Sequence, residues 1–470
     1  MAIGPIGLLP DEVLLEIFSF YLEEAYKVGS ADRLEAWRVL VHVCHRWRRN
    51  VFASPRRLNL QLVCANTTPV REMLDIWPTL PIVVRDWDLD SDLWLDMYDA
   101  DNIMTALEHR DRVCQINLES VPLILFEWDS VMMESFPALT HLFLSKEHTS
   151  FPVLPDSFLG GSAPRLRQFV LEGVPFPALP KLLLSTNDLV ELCLWHTPHS
   201  GYISPDAMVA CLSYLNRLEI LWLGFDSPDS LPDESSRRPP SLTRVNLPAL
   251  LKFRIHGLNE YIEDFVAGIN APLLFCVHIS SFYFERVDFP RLGQFVDRIQ
   301  NFKALHQARV RLCEEAAYIK FANPTHTATL EFRIPFLDAE SQPQCLVEFC
   351  RSFQYPIGPS MERLEIVVDD PPPDGWHDDD IESDMWFGLL QLFTSVKDLC
   401  LSGGLALRVL QAMQELIGKT TTQVLPALQN IFVEGHHLSE AVHAAIGSFI
   451  AMRQIPVTVH HWDRRQEHDD

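Results

Sequence analysis

Leu139-Thr140-His141-Leu142-Phe143-Leu144 and, 27 residues later, Leu166-Arg167-Gln168-Phe169-Val170-Leu171 are two copies of one pattern, apolar-x-x-apolar-x-apolar. The same spacing occurs at Val113-Ile116-Leu118, Leu189-Leu192-Leu194, Leu218-Leu221-Leu223, Leu250-Phe253-Ile255 and Leu274-Val277-Ile279. Steps between first positions are 26, 27, 23, 29, 32 and 24 residues. Copies at Met361-Leu364-Ile366, Val396-Leu399-Leu401 and Leu428-Ile431-Val433 are more widely spaced. The two alternating apolar residues share one face of a short strand, and the first packs at the turn into it. A unit this small cannot bury that face alone, so neighbours must stack.

A repeat of this length with this core resembles the leucine-rich repeat, one strand and one return segment per unit. That resemblance implies an α/β fold: an irregular solenoid over residues 113–470 with a parallel sheet on its concave side. The alternative is a set of strands in an ordinary α/β sheet; six successive intervals of similar length favour the solenoid. Residues 226–241 and 369–380 are polar, proline-rich or acidic and are expected as exposed loops. Residues 285–325 space Phe295, Ile299, Phe302, Leu305 and Val310 in a helical manner. A helix over 438–452 capped by Ser439, then a strand at Val457-Val459, is expected to close the array.

The first sixty residues have a different character. Pro10 suits the first turn of a helix, and Asp11 and Glu12 complement its dipole. Leu14, Ile17, Phe18, Tyr21 and Leu22 follow at helical spacing; Trp37, Leu40, Val41, Val43, Cys44 and Trp47 form a second apolar set. Leu9-Pro10-Asp11-Glu12, Ile17-Phe18 and Val43-Cys44 before Trp47 resemble the F-box, the adaptor-docking module of SCF-type ubiquitin ligases. The layout, with Ser54-Pro55-Arg56-Arg57-Leu58 and Asp75-Ile76-Trp77-Pro78, is similar to the large F-box families of mushroom-forming fungi. Two features depart from the family: an apparent insertion at Glu24–Arg33, and Arg57-Leu58-Asn59-Leu60 where a Leu-Trp ending is usual. The resemblance implies a small helical F-box over residues 1–60, with 61–112 as a linker or flank. It implies a Skp-family adaptor, and through it a cullin, as partner. Leu9, Pro10, Val13, Leu14, Ile17, Phe18, Val43, Cys44 and Trp47 would supply the contact.

With 47% hydrophobic and 21% charged residues the chain is globular in composition. A net charge of −25 argues against nucleic acid as partner. The basic run His45-Arg46-Trp47-Arg48-Arg49 with Arg56-Arg57 is read as a solvated helix face. No segment approaches the ~20 apolar residues of a membrane span, and no signal peptide is evident. Ten cysteines without a C-x-x-C pair point to a reduced, intracellular protein, cytoplasmic or nuclear, with no zinc ribbon. Gly403-Gly404 lacks the lysine of a phosphate loop. His436, His437 and His443 fit no zinc motif, and Asp374, Asp378, Asp379 and Asp380 lack calcium-loop spacing. No enzyme and no cofactor is expected. A target protein, of unknown identity, is expected on the outer sheet face around Trp195, His196, Trp222, Phe225, Arg254 and His256, which flank the core positions of three repeats. A leucine-rich scaffold or receptor without a ubiquitin role is the competing function, its N-terminal helices being only a cap.

Overall fold

The computed structural model describes residues 9–27, 35–65, 68–86, 100–119, 129–146, 152–230, 244–282, 289–313, 316–325, 327–335, 346–349, 351, 360–368, 383–419, 424–435, 439–453 and 456–462. The acidic loop 369–380, most of the loop 226–241, Trp87, Trp94, Trp128, Cys345, Cys350, His436 and His437 lie outside them. The chain divides into two units, Met1–Tyr202 and Ile203–Asp470.

The first unit opens with three helices, α1 (Asp11–Lys27), α2 (Trp37–Val43) and α3 (His45–Ala53). Six strands follow: β1 (Leu62–Cys64), β2 (Ile82–Arg85), β3 (Val113–Leu118), β4 (His141–Ser145), β5 (Gln168–Glu172) and β6 (Glu191–Thr197). Each pairs in parallel with the next in chain order. Residues 61–112, expected as a linker or flank, thus contribute two strands, with helix α4 (Val70–Ile76) between them. The repeat motif explains the register. Ile116, Leu142, Phe169 and Leu192 stand opposite one another, and all four are buried. The residues entering the strands carry a second ladder: Thr140 N–H donates to the Cys114 carbonyl, Arg167 to Thr140 and Val190 to Arg167, each at 2.8 Å. Consecutive units are thereby tied at the turn as well as along the strand.

The second unit contains β7 (Ile220–Phe225), β8 (Val245–Asn246), β9 (Lys252–Gly257), β10 (Ile269–Asn270), β11 (Cys276–Ser281), β12 (Gln307–Leu312), β13 (Ala316–Ala322), β14 (Thr329–Pro335), β15 (Arg363–Val368), β16 (Asp398–Leu401), β17 (Asn430–Glu434) and β18 (Thr458–Trp462). Its large sheet runs β7-β9-β11-β14-β13-β12-β15-β16-β17-β18, and β8 and β10 form a separate small pair. All neighbours are parallel except around β13, which is antiparallel to both β12 and β14.

This insertion corrects the sequence reading. Helical structure holds for Pro290–Asp297 and a 3-10 turn at Gln300–Ala304, but residues 307–322 form two strands of a hairpin. After β11 the chain skips two lanes to place β12, then doubles back through β13 and β14 into the gap. Val310, Ile319 and Phe332 alternate with Arg309, Lys320 and Arg333, the period-2 pattern of half-buried strands. At the C-terminal end the helix Glu440–Arg453 is capped by the Ser439 hydroxyl, which accepts from Val442 N–H at 3.3 Å. Strand β18 adds in parallel to β17, as the sequence implied.

The sheets are covered on one side by apolar side chains of strands and returns. Phe253 stacks on Phe265 at 5.7 Å, and Phe332 meets Phe349 edge-on at 4.7 Å. Cys64 and Cys193 are buried, and burial pushes the Cys64 thiol up to about 12 and raises that of Cys193 as well. Among the described residues no cysteine is disulfide-bonded.

Candidate protein-docking surfaces

Helix α1 has two apolar faces. Leu14, Phe18 and Leu22 point inward and join Trp37, Leu40, Val41, Val51, Leu62, Met73 and Leu80 in one core. At 100° per residue, Val13, Ile17, Phe20 and Tyr21 lie on another face, and that face meets solvent: Ile17 is 48% and Phe20 66% exposed. Val39 and Val43, one turn apart on α2, are also exposed, as is Cys44 beside them. Of the nine residues assigned to an adaptor contact, Pro10, Val13, Ile17, Val43 and Cys44 are exposed; Leu9 and Trp47 are half-buried. Leu14 and Phe18 require correction. They are core residues, Phe18 lying against Trp47 with ring centres 4.7 Å apart, because the helical period carries them away from Val13 and Ile17. Phe20, Tyr21 and Val39 were missed; separating positions 13, 17, 20 and 21 from 14, 18 and 22 by angle would have found the first two.

The start of α1 is held by α3. Asp11 accepts from Asn50 Nδ2 and Arg46 Nε, each at 2.8 Å, and Arg46 also donates to the Leu9 carbonyl. These bonds, Asn50 first and Arg46 second, hold the Asp11 carboxyl below its usual 3.8. Arg57 pairs with Glu16, and Arg48 Nε donates to the Val41 carbonyl at 2.9 Å. The basic run is largely exposed, as expected of a solvated face, and Arg46, Arg48 and Arg57 within it also bond to neighbouring segments. The helices are also bound to the first strands. Trp37 is fully buried, donates Nε1–H to the Gln61 carbonyl at 2.9 Å and meets Trp77 edge-on at 5.2 Å.

The other candidate residues, expected on the sheet face opposite the core, are divided between the two units. Trp195 and His196 belong to the first unit; Trp222, Phe225, Arg254 and His256 belong to the second. Trp195 is half-buried and His196 exposed, 4.0 Å from Glu172. His196 sits in the left-handed region at φ 50°, where a non-glycine residue carries strain. Trp222 pairs with Arg254 in register, and the guanidinium lies over the indole at 5.9 Å. His256 Nδ1 lies 2.9 Å from the Ser280 hydroxyl. Phe225 does not belong to this face. It shares the inward parity of Leu221 and Leu223, is buried, and meets Tyr261 at 4.7 Å. Sequence reasoning also missed the cations of β12 and β13, because residues 285–325 were expected to be helical, and Arg333 of β14, where no strand was expected.

Among the described residues no group of His, Cys, Asp and Glu is arranged to hold a metal ion, and no helix is long and apolar enough to cross a membrane. No protein-family model matches the chain, and no curated protein matches it. Among solved structures it is similar to the leucine-rich repeat-containing protein LegL7 from Legionella pneumophila. That likeness has 10% identity over 83% of this chain and 97% of that one, with a TM-score of 0.28.

Proposed function

We propose that the protein is a substrate-recognition subunit of an SCF-type ubiquitin ligase. The N-terminal helices dock a Skp-family adaptor and the stacked strands recruit a protein target. The observation that carries this reading is the second apolar face of α1. Val13, Ile17, Phe20 and Tyr21 stay in water although Leu14, Phe18 and Leu22 already supply the helix with a complete core. Exposed apolar residues grouped on one helix face mark a protein contact, and their burial would drive association. Recovery of the full-length chain on immobilised Skp-family adaptor tests it. The parent is expected to be retained and Val13→Glu/Ile17→Glu lost, while Phe20→Ser weakens retention. Adaptor binding is also expected to shield Cys44 from alkylation. Equal recovery of parent and double variant would overturn the docking role.

A second reading is favoured by a separate observation. The helices share one core with β1 and α4, and Trp37 is bonded to Gln61. That is what a terminal cap of a leucine-rich scaffold requires. The two readings part on the parent, since a cap alone predicts no adaptor retention by it.

A further inference from the structure

Beside the small β8–β10 pair of the second unit, two arginines reach toward one short stretch of backbone. Arg244 stands immediately before β8, is exposed, and donates from Nε to the Ala267 carbonyl at 3.3 Å. Arg298 follows the helix Pro290–Asp297 and donates from Nη2 to the Ile269 carbonyl, also at 3.3 Å. The two acceptors are two residues apart, at most about 7 Å between α-carbons. The residue between them is Gly268, which brings no side chain of its own. Among the described residues neither guanidinium is in an ion pair, and Arg298 Nε is buried without a hydrogen-bond partner.

Two like charges held this way oppose each other. Burial, and after it the charge of Arg244, hold the Arg298 guanidinium below its ordinary value; Asp297, exposed, acts the other way as the smallest cause. Helix capping accounts for one of the two cations only. Ala267 ends the helix Asn259–Ala267, whose last carbonyls lack helical partners and favour a positive charge. Ile269 lies beyond that helix, in β10. Each guanidinium has five N–H donors, and one from each is spent on a carbonyl. Asn246, exposed and two residues after Arg244, adds neutral donors: its Oδ1 accepts from Asn270 at 3.0 Å, which leaves its own amide N–H groups for another partner.

We propose that Arg244 and Arg298 hold a phosphoryl group between them, with the Asn246 amide as a neutral donor beside it. A tetrahedral oxoanion offers oxygens to both guanidinium forks at once, and charge-assisted bonds of this kind are the strong ones. Charge selects phosphoryl over carboxylate. At pH 7 a phosphoryl group carries about −1.5 to −2, enough to balance both arginines, whereas a carboxylate balances one. The site shares no residue with the exposed face of α1 or with the expected target face, so it stands apart from adaptor docking and target recruitment.

Isothermal titration calorimetry on the full-length chain tests the proposal. The probes are inorganic phosphate and a short phosphoserine peptide, compared with acetate and the unphosphorylated peptide at one ionic strength. At least one phosphoryl probe is expected to bind about tenfold or more tighter than acetate. Tighter binding of inorganic phosphate assigns the site to a free anion, and tighter binding of the phosphopeptide assigns it to a modified partner; either result supports the proposal. Arg244→Gln and Arg298→Gln should each lower that affinity by about tenfold. Should Arg298→Gln fail to fold, the exposed Arg244→Gln carries the test alone. Phosphate should also raise the melting temperature of the parent more than that of Arg244→Gln. Absence of binding by both phosphoryl probes, equal affinity for acetate, or unchanged binding in Arg244→Gln overturns it.

Discussion

Asp11 shows how one residue of the N-terminal motif works. Its carboxylate at the helix start is held by Asn50 and Arg46, so the charged form is stabilised by folding. The stabilisation is fully present above the unfolded value near 3.8 and disappears as pH falls through the lowered folded value. Asp11→Asn is therefore expected to lower the urea midpoint at pH 7, with the gap to the parent closing in acid below pH 3.8; urea titrations at both pH values check this. His196 illustrates a different constraint. Its left-handed backbone favours glycine, so His196→Gly should raise stability by up to about 1 kcal/mol in thermal unfolding if no native contact of the ring matters. A loss of stability instead would assign a structural role to the His196–Glu172 pair. Thiol chemistry separates the cysteines by place. Cys44 is exposed and should react with a thiol reagent in the folded protein. Cys64 and Cys193 are buried with their thiols held protonated, and should react only after unfolding.

Helix α1 has a buried face and an exposed one, and the proposed docking is expected to separate stability from binding between them. Leu14→Ala deletes a fully buried side chain and should cost about 2–5 kcal/mol in chemical denaturation. Ile17→Ala on the exposed face should change stability by less than about 0.5 kcal/mol. Adaptor retention should respond in the opposite order, strongly to Ile17 and weakly to Leu14 wherever the variant remains folded. The hairpin of β12 and β13 is the other element whose behaviour follows from its place. It fills lanes between β11 and β15 with antiparallel pairing, so the cations of three strands meet on one face. A parallel array with one strand per return would have spread them along the chain.

Across the first unit, the helices and the stacked strands are joined by one core containing Leu14, Trp37, Leu62, Met73 and Leu80. Removing residues 1–60 would uncover Leu62, Met73 and Leu80 and leave the Gln61 carbonyl without the Trp37 indole. The truncated chain from residue 61 is expected to aggregate, measured as loss of soluble monomer in size-exclusion chromatography. A soluble monomer with the parent's melting temperature would show that the helical module is separable. Docking and capping are therefore compatible uses of the same helices: one face is buried in the chain and the other is left outside.

The spacing of Leu139, Leu142 and Leu144 and its copies determined by itself that short strands recur and stack, since period-2 burial after a fixed turn residue is a local property. Pro10, the first acidic turn and the helical spacing after it likewise marked α1, and Ser439 marked the last helix. Which apolar residues of α1 are core and which meet water was decided by packing against Trp37 and Trp47; the sequence shows two adjacent stripes without saying which one has neighbours. Phe225 was misassigned although its parity with Leu221 and Leu223 is legible in the sequence; its contact with Tyr261, 36 residues away, is tertiary. The strand order around β12, β13 and β14 was beyond local pattern altogether. Pairing partners distant in the chain choose direction and lane, and that choice alone brings Arg254, Lys320, Arg333 and Arg311 onto one face.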